Sequence, residues 1–190
     1  MLAQLLYQIA DWLIGAFSLA LLARFAMQWA RAPFRNTLGE FIVAVTDWAV
    51  KPARRFIPSA FGFDLPSLFL AWLTQAMFRG LLFGLSGMAS AVTPGLIGLL
   101  ALVAAFAVLR LGLYLIMGAV IITALLSWIN PYAPLAPVFD AIARPFLRPL
   151  QRLIPLIGGV DLSPLALLFI LQILLSLLAT LQMQFTFHLP

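Results

Sequence analysis

The stretch RPFLRPLQRLIPLIGGVDLSP, residues 144 to 164, separates two long apolar segments of the chain. Its three arginines recur at every fourth position, and prolines, a Gly-Gly pair and an aspartate divide the rest. Leu111 to Phe139 before it contains 29 residues without a formal charge, and Leu162 to Phe187 at its end contains 26. About 20 apolar residues suffice for a helix to cross a bilayer. The stretch therefore predicts a basic connector between two transmembrane helices.

The composition assigns the whole chain to the same class. Of its 190 residues, 64% are hydrophobic and 9% are charged, whereas a soluble domain carries about 25% charged residues. The alternation typical of a transmembrane β-barrel is absent. We therefore expect an all-α polytopic membrane protein. Its net charge of +5 indicates orientation and anionic lipid rather than specific nucleic acid.

The residue inventory limits the chemistry that the chain can perform. It has no cysteine and one histidine, His188, so thiolate metal sites and cysteine nucleophiles are excluded, and a cofactor with two histidine ligands does not fit one copy. No Walker loop, GxSxG or HExxH motif is present. We expect neither an enzyme nor a bound cofactor.

The connector and the helix after it occur twice in the chain. KPARRFIPSAFGFDLPSLFLAWLTQ, residues 51 to 75, aligns without a gap with RPLQRLIPLIGGVDLSPLALLFILQ, residues 148 to 172, at a constant offset of 97. Upstream, Trp29 pairs with Trp128 at an offset of 99. The alignment predicts two tandem parallel repeats, each a transmembrane helix, a basic amphipathic connector and a second transmembrane helix.

The predicted repeats occupy residues 1–85 and 110–190. Residues 86–109 form the inter-repeat loop and an interfacial or extended helix. Two alternatives exist for residues 94–129, because 36 helical residues span about 54 Å against a hydrocarbon core of about 30 Å. The segment is either one long, bent helix or a short interfacial helix followed by a crossing helix.

The cations collect in the two connectors, and short cytoplasmic loops are rich in Lys and Arg. We therefore predict four crossings, with both connectors in the cytoplasm and both termini outside. The connectors are expected to form amphipathic interfacial helices, broken into short pieces by Pro145 and Pro149. They are either an orientation signal with interfacial packing or a surface that binds anionic phospholipid or an unidentified membrane or cytoplasmic protein. The candidate binding residues are Lys51, Arg54, Arg55, Arg144, Arg148 and Arg152.

Two aspartates stand where a connector becomes a transmembrane helix. Asp64 and Asp161 are predicted to cap those helices, and they are also candidates for ion pairs with connector arginines. Gly62 and the Gly158–Gly159 pair are expected to provide the tight approach to each cap.

Other polar residues fall inside the apolar segments. Gln75 and Gln172 are predicted near the bilayer midplane, where they either hydrogen-bond a neighbouring helix or line a polar path. Asp11 and Arg110, each eighteen residues before a matched tryptophan, are predicted to form an inter-repeat ion pair. Arg24 and Arg79 are expected to extend their charges toward the membrane surface.

With the duplicated connector established, the chain resembles the YggT family of small bacterial membrane proteins, whose plastid relatives are called YlmG. LLSWINPYAP, RPFLRPLQRLIPLIGGVDLSP and the weaker first copy KPARRFIPSAFGFDLPS carry the resemblance. It implies a bacterial inner-membrane protein linked to osmotic or ionic stress tolerance, or to division or envelope organisation. On that basis we expect a non-enzymatic scaffold or assembly factor. The alternative is an ion or osmolyte transporter or channel component, and the sequence also leaves a homo-oligomer open.

Overall fold

The computed structural model describes residues 2–58, 62–85, 93–154 and 161–187. These residues form α-helices joined by short connections. The helices in the described part of the chain are α1 (Leu2–Trp29), α2 (Thr37–Ala53), α3 (Leu65–Leu85), α4 (Pro94–Ile129), α5 (Ala136–Leu153) and α6 (Ser163–Phe187).

Four of these helices are long and apolar enough to cross a membrane: α1, α3, α4 and α6. The shortest, α3, has 21 residues and is about 32 Å long, which matches the hydrocarbon core of a bilayer. The structure therefore confirms the predicted all-α class with four candidate spans. The order of a long apolar, an amphipathic and a long apolar helix is the same in α1–α3 and in α4–α6, and the duplication itself stays a prediction.

Residues 94–129 form the single long helix of the two predicted alternatives. Thr93 caps α4 by accepting a hydrogen bond from the Leu96 N–H at 3.3 Å, and Pro94 occupies the first turn, where the missing N–H costs nothing. Since α4 is continuous, the predicted boundary at residue 109 lies inside a helix.

The two connectors also contain continuous helices. Asn36 caps α2 by accepting from the Gly39 N–H at 2.9 Å. The prediction that Pro145 and Pro149 break the second connector is wrong, because both lie inside α5. The two prolines are four residues apart and exposed. Each lacks the N–H that would bond a carbonyl group one turn earlier, and water or lipid headgroups can donate to that carbonyl group instead.

The two amphipathic helices lie at the same end of the bundle. Their apolar faces contribute to one core that includes Ile42 of α2, Ile142 of α5 and Met27 near the end of α1. The rings of Trp29 and Phe146 lie 5.8 Å apart. A second core holds α1, α2, α3 and α4 together around Leu21. The connectors are therefore fixed against the spans rather than loosely attached.

The approach to α3 supports the glycine prediction in the first connector. Gly62 has a φ of 82°, in the left-handed region that favours glycine. Gly158, Gly159 and His188 lie outside the described residues.

Candidate functional site: a buried ion-pair network and a basic helix surface

Arg24 stands at the centre of a polar network inside the first half of the chain. Its side chain is 8% exposed, and its Nη1 donates to Thr46 Oγ1 and to Asp47 Oδ1, both at 2.8 Å. Its Nε lies 3.3 Å from Asp64 Oδ2. The expectation that Arg24 extends to the membrane surface is therefore wrong, because two carboxylates stabilise the guanidinium inside the protein. The segment between α1 and α3 contains three acids, Glu40, Asp47 and Asp64, but the sequence does not show which of them Arg24 meets.

The Asp64 carboxylate is fully buried and acts mainly as an ion-pair acceptor. Besides Arg24, it meets Arg54 Nη2 at 3.3 Å and accepts a hydrogen bond from Ser67 Oγ at 2.7 Å. The Ser67 N–H bonds the Asp64 main-chain oxygen at 3.0 Å. The carboxylate thus ties the end of α2 to the start of α3 through a connector arginine, rather than capping α3 through a backbone N–H.

Asp47 extends the network to the surface of α2. Lys51 Nζ lies 2.8 Å from Asp47 Oδ2, and the lysine side chain is 74% exposed. Hydrogen bonds from Lys51 and Arg24 hold the pKa of Asp47 below its usual value, although partial burial opposes them. The network therefore links three cations with two carboxylates across α1, α2 and the start of α3.

Asp161 has different partners from the aspartate with which it aligns. Its Oδ1 accepts from the Ser163 N–H at 2.8 Å, as expected of a residue that caps α6, and its Oδ2 accepts from Gln151 Nε2 at 2.9 Å. Partial burial raises the pKa of Asp161, but the hydrogen bonds from Ser163 and Gln151 outweigh it, so the pKa lies below the usual value. No arginine lies within ion-pair distance of Asp161 among the described residues.

The candidate binding cations are exposed on α2, on the two residues after its end and on α5, and together they are called the basic surface. The apolar face of α5 is buried through Val138, Ile142 and Leu147, and its arginines point away from the core. Arg144 pairs with Asp140 one turn earlier. The exposed cations of this basic surface are Lys51, Arg54, Arg55, Arg144, Arg148 and Arg152.

A cleft of about 490 Å³ connects the end of α1 with α5 at this surface. Arg31 and Pro33 line one side, and Asp140, Arg144 and Arg148 line the other. Arg31 is not among the six candidate binding residues predicted from the sequence. No sequence spacing places Arg31 beside α5, since the two are brought together only by the packing of α1 against α5.

The two aligned glutamines have different environments. Gln75 is buried, and its Nε2 donates to Ser18 Oγ at 3.1 Å, which joins α3 to α1. Gln172 lies on the exposed surface of α6. The two glutamines therefore do not line a common path within the described structure.

Replacing Gln75 with leucine is expected to lower the free energy of unfolding by about 0.6 kcal/mol, a typical value for a hydrogen bond between membrane helices. Unfolding by denaturing detergent, followed by circular dichroism, measures the change. The matched control is Gln172→Leu, which removes an exposed amide and should be neutral or stabilising in lipid. Equal losses in the two variants would contradict the assigned role of Gln75.

The predicted ion pair between Asp11 and Arg110 is not formed. Arg110 instead donates to Gln182 Oε1 on α6, and no contact within 4.0 Å joins it to Asp11 in the described part of the chain. Asp11 is exposed and interacts electrostatically with Arg79 of α3. Equivalent depth in two aligned helices does not fix the direction of a side chain, and Arg110 faces α6.

Metal binding finds no support in the side-chain arrangement. Within residues 2–58, 62–85, 93–154 and 161–187, no group of three His, Cys, Asp or Glu side chains could hold a metal ion.

The four candidate spans and the two basic helices held at one end define a multi-pass helical membrane protein. A family model described as CCB3/YggT matches residues 3–85 and 102–182. The chain belongs to this family, as the resemblance of its connectors predicts.

Two of the similar proteins come from bacteria. The uncharacterized protein PA0392 of Pseudomonas aeruginosa is 39% identical over 151 residues, which cover 78% of this chain and 75% of the relative. The uncharacterized protein YggT of Escherichia coli strain K12 is 32% identical over 162 residues, covering 85% and 82%. No solved structure matches the chain.

Proposed function

We propose that this protein is a non-enzymatic scaffold or assembly factor of the bacterial inner membrane, whose basic surface binds anionic phospholipid and a cytoplasmic or membrane partner protein. The observation that carries the proposal is the attachment of α5. The apolar face of α5 is buried in the core, and this packing fixes the orientation of the helix. Arg144, Arg148 and Arg152 are therefore held on its exposed side. A simple orientation signal needs no such fixed arrangement.

The cleft beside α5 supports phospholipid as one ligand. Arg31, Arg144 and Arg148 face it together with a single carboxylate, Asp140, so its lining has an excess of positive charge. Arginine guanidinium groups bind phosphate through charge-assisted hydrogen bonds. Each Lys or Arg near an anionic leaflet contributes about 1 kcal/mol of attraction. Within the described residues, Arg55, Arg148 and Arg152 form no ion pair, whereas Lys51, Arg54 and Arg144 each already meet a carboxylate.

The cytoplasmic placement of this surface is part of the proposal. Cytoplasmic loops collect Lys and Arg, and the common core of α2 and α5 supports one side for both connectors. If both connectors lie on one side, the chain crosses the membrane an even number of times between them. Both termini then lie outside. A role in osmotic or ionic stress tolerance or in envelope organisation comes from the family resemblance alone.

Transport receives no specific support from the geometry. Such a path would have to include Asp11, Gln75, Arg110 and Gln172. Gln75 is bonded between α1 and α3, whereas Gln172 lies on the exposed surface of α6.

The variant Arg144→Gln, Arg148→Gln, Arg152→Gln tests the proposal. We expect it to bind phosphatidylglycerol more than tenfold more weakly than the unaltered protein, because three cations are lost at about 1 kcal/mol each. Native mass spectrometry of the detergent-solubilised protein measures the binding. The control replaces the same arginines with lysine, which keeps the charge and should retain most of the binding. Unchanged binding by the glutamine variant would overturn the lipid-docking proposal.

Site-specific crosslinking from position 152 in cells tests the partner half of the proposal. We expect one defined protein to be captured, and its capture to be lost when Arg144 and Arg148 are glutamine. Capture that is independent of both arginines would contradict a partner site on this surface.

A further inference from the structure

A cleft of about 670 Å³ lies between the end of α4, one side of α5 and the start of α6. Asp140, Arg144, Gln151 and Asp161 line it together with apolar side chains. The apolar part of the lining consists mainly of Ile121, Leu125, Trp128, Leu147, Leu165 and Leu168. The cleft therefore combines a polar mouth with an apolar wall along two candidate membrane spans.

The sequence alignment relates this cleft to the buried network of the first half. Asp161 aligns with Asp64, at the offset of 97, and Thr123 aligns with Arg24, at the offset of 99 that pairs the tryptophans. In the first half, the Arg24 guanidinium occupies the space beside the aspartate. In the second half, a threonine lines the cleft at the aligned position, so this position supplies no cation to Asp161.

Two polar groups at the cleft have unused hydrogen-bonding capacity. Thr123 Oγ1 is buried and has no hydrogen-bond partner among the described residues. Asp161 accepts one bond at each carboxylate oxygen, which leaves further lone pairs for a donor. Thr123 Oγ1 has almost no solvent-accessible surface, so the group that an outside donor can reach is Asp161, which is partly exposed.

From these observations we propose that the cleft binds a phospholipid whose headgroup carries both a phosphate and a primary ammonium group, as in phosphatidylethanolamine. The lipid ammonium group would donate to Asp161 and Asp140. It would thus play the role toward Asp161 that the Arg24 guanidinium plays toward Asp64 in the first half. Arg144, half exposed beside Asp140, would bind the phosphate. One acyl chain would lie along Leu165 and Leu168.

The charge of the lining separates this site from the basic surface. Two carboxylates and one arginine line the cleft, so its formal charge is negative and disfavours an anionic headgroup. A zwitterionic headgroup with an N–H donor matches this lining, because its ammonium group suits the carboxylates and its phosphate suits the arginine. The two clefts share Asp140 and Arg144 and differ in Gln151, Asp161 and the apolar wall.

Competition between phosphatidylethanolamine and phosphatidylcholine tests the proposal without any substitution. The trimethylated choline nitrogen has no N–H group and cannot donate to the carboxylates. We expect the solubilised protein to retain phosphatidylethanolamine about tenfold more strongly than phosphatidylcholine of the same acyl composition, as measured by native mass spectrometry. Equal retention of the two lipids would overturn the proposal.

The variant Thr123→Arg provides a second and independent test. An arginine at this position would reach Asp161 as Arg24 reaches Asp64, and it would fill the cleft. We expect the preference for phosphatidylethanolamine to disappear while the melting temperature does not fall. Glu40→Gln, which removes an exposed carboxylate of α2, should keep the preference.

A folded Thr123→Arg protein that still discriminates between the two lipids would contradict the site. If the substitution prevents folding, the lipid competition on the unaltered protein decides the question. Phosphatidylglycerol binding to the basic surface should be unaffected in the folded variant, which distinguishes this proposal from the proposed function.

Discussion

Replacing Arg24 with methionine is expected to lower the free energy of unfolding by about 3–5 kcal/mol, the usual loss when one partner of a buried ion pair is removed. The guanidinium contacts Asp47, Asp64 and Thr46 from a side chain that is 8% exposed. Without it, Asp64 keeps only Arg54 as a cationic partner at 3.3 Å, and a fully buried carboxylate loses most of its compensation. Thermal or detergent-induced unfolding of the purified protein measures the effect.

Lys51→Met is the matched control for this prediction. Lys51 also pairs with a carboxylate of the same network, but its side chain is 74% exposed. Exposed ion pairs contribute about 0–1 kcal/mol, so a small change is expected. The double variant Arg24→Met, Asp64→Asn should lose less stability than the sum of its single variants, because the uncompensated carboxylate is gone. Similar losses for Arg24→Met and Lys51→Met would show that burial of the network does not matter.

The spans and the connectors could be predicted because their signals are local. Long apolar runs indicate four candidate spans, and two basic segments with proline mark the connectors. The family could be identified from the connectors for the same reason, since their residues lie close together in the chain.

The network around Arg24 could not be predicted, because the direction of the Arg24 side chain depends on tertiary packing. An arginine near the end of a transmembrane helix can reach the membrane surface or turn inward, and sequence spacing does not decide between them. Here α2 folds back and places Asp47 beside it. The same limit explains Arg110, which the alignment paired with Asp11 and the structure pairs with Gln182.

The continuity of α5 shows a further limit of local reasoning. From helix propensity alone, two internal prolines predict a break in the helix. Burial of Val138, Ile142 and Leu147 in the core holds the helix together, since most helical stability in proteins comes from the packing of an amphipathic face. The arginines therefore lie on one continuous helix instead of on short, broken helices.

The second large effect is expected at Gly39, in the first turn of α2. Replacing a helical glycine with alanine normally stabilises a protein by about 1 kcal/mol. A Cβ at Gly39 would lie 2.3 Å from the main-chain oxygen of Phe34 and 2.9 Å from its Cα. Backbone cannot rotate away as a side chain can, so Gly39→Ala is expected to cost about 1–3 kcal/mol or more through overpacking.

Gly112→Ala in α4 is the control, because a Cβ there meets nothing within 4 Å and should be neutral or stabilising. The same unfolding assay compares the two variants, and opposite signs are expected. A stabilising Gly39→Ala would refute the close approach of Phe34 to α2. That approach matters for the network, because the turn between α1 and α2 sets the position from which Asp47 meets Arg24. Gly39→Ala should therefore also weaken the contribution of Arg24, and Arg24→Met should cost less in its presence than in the unaltered protein.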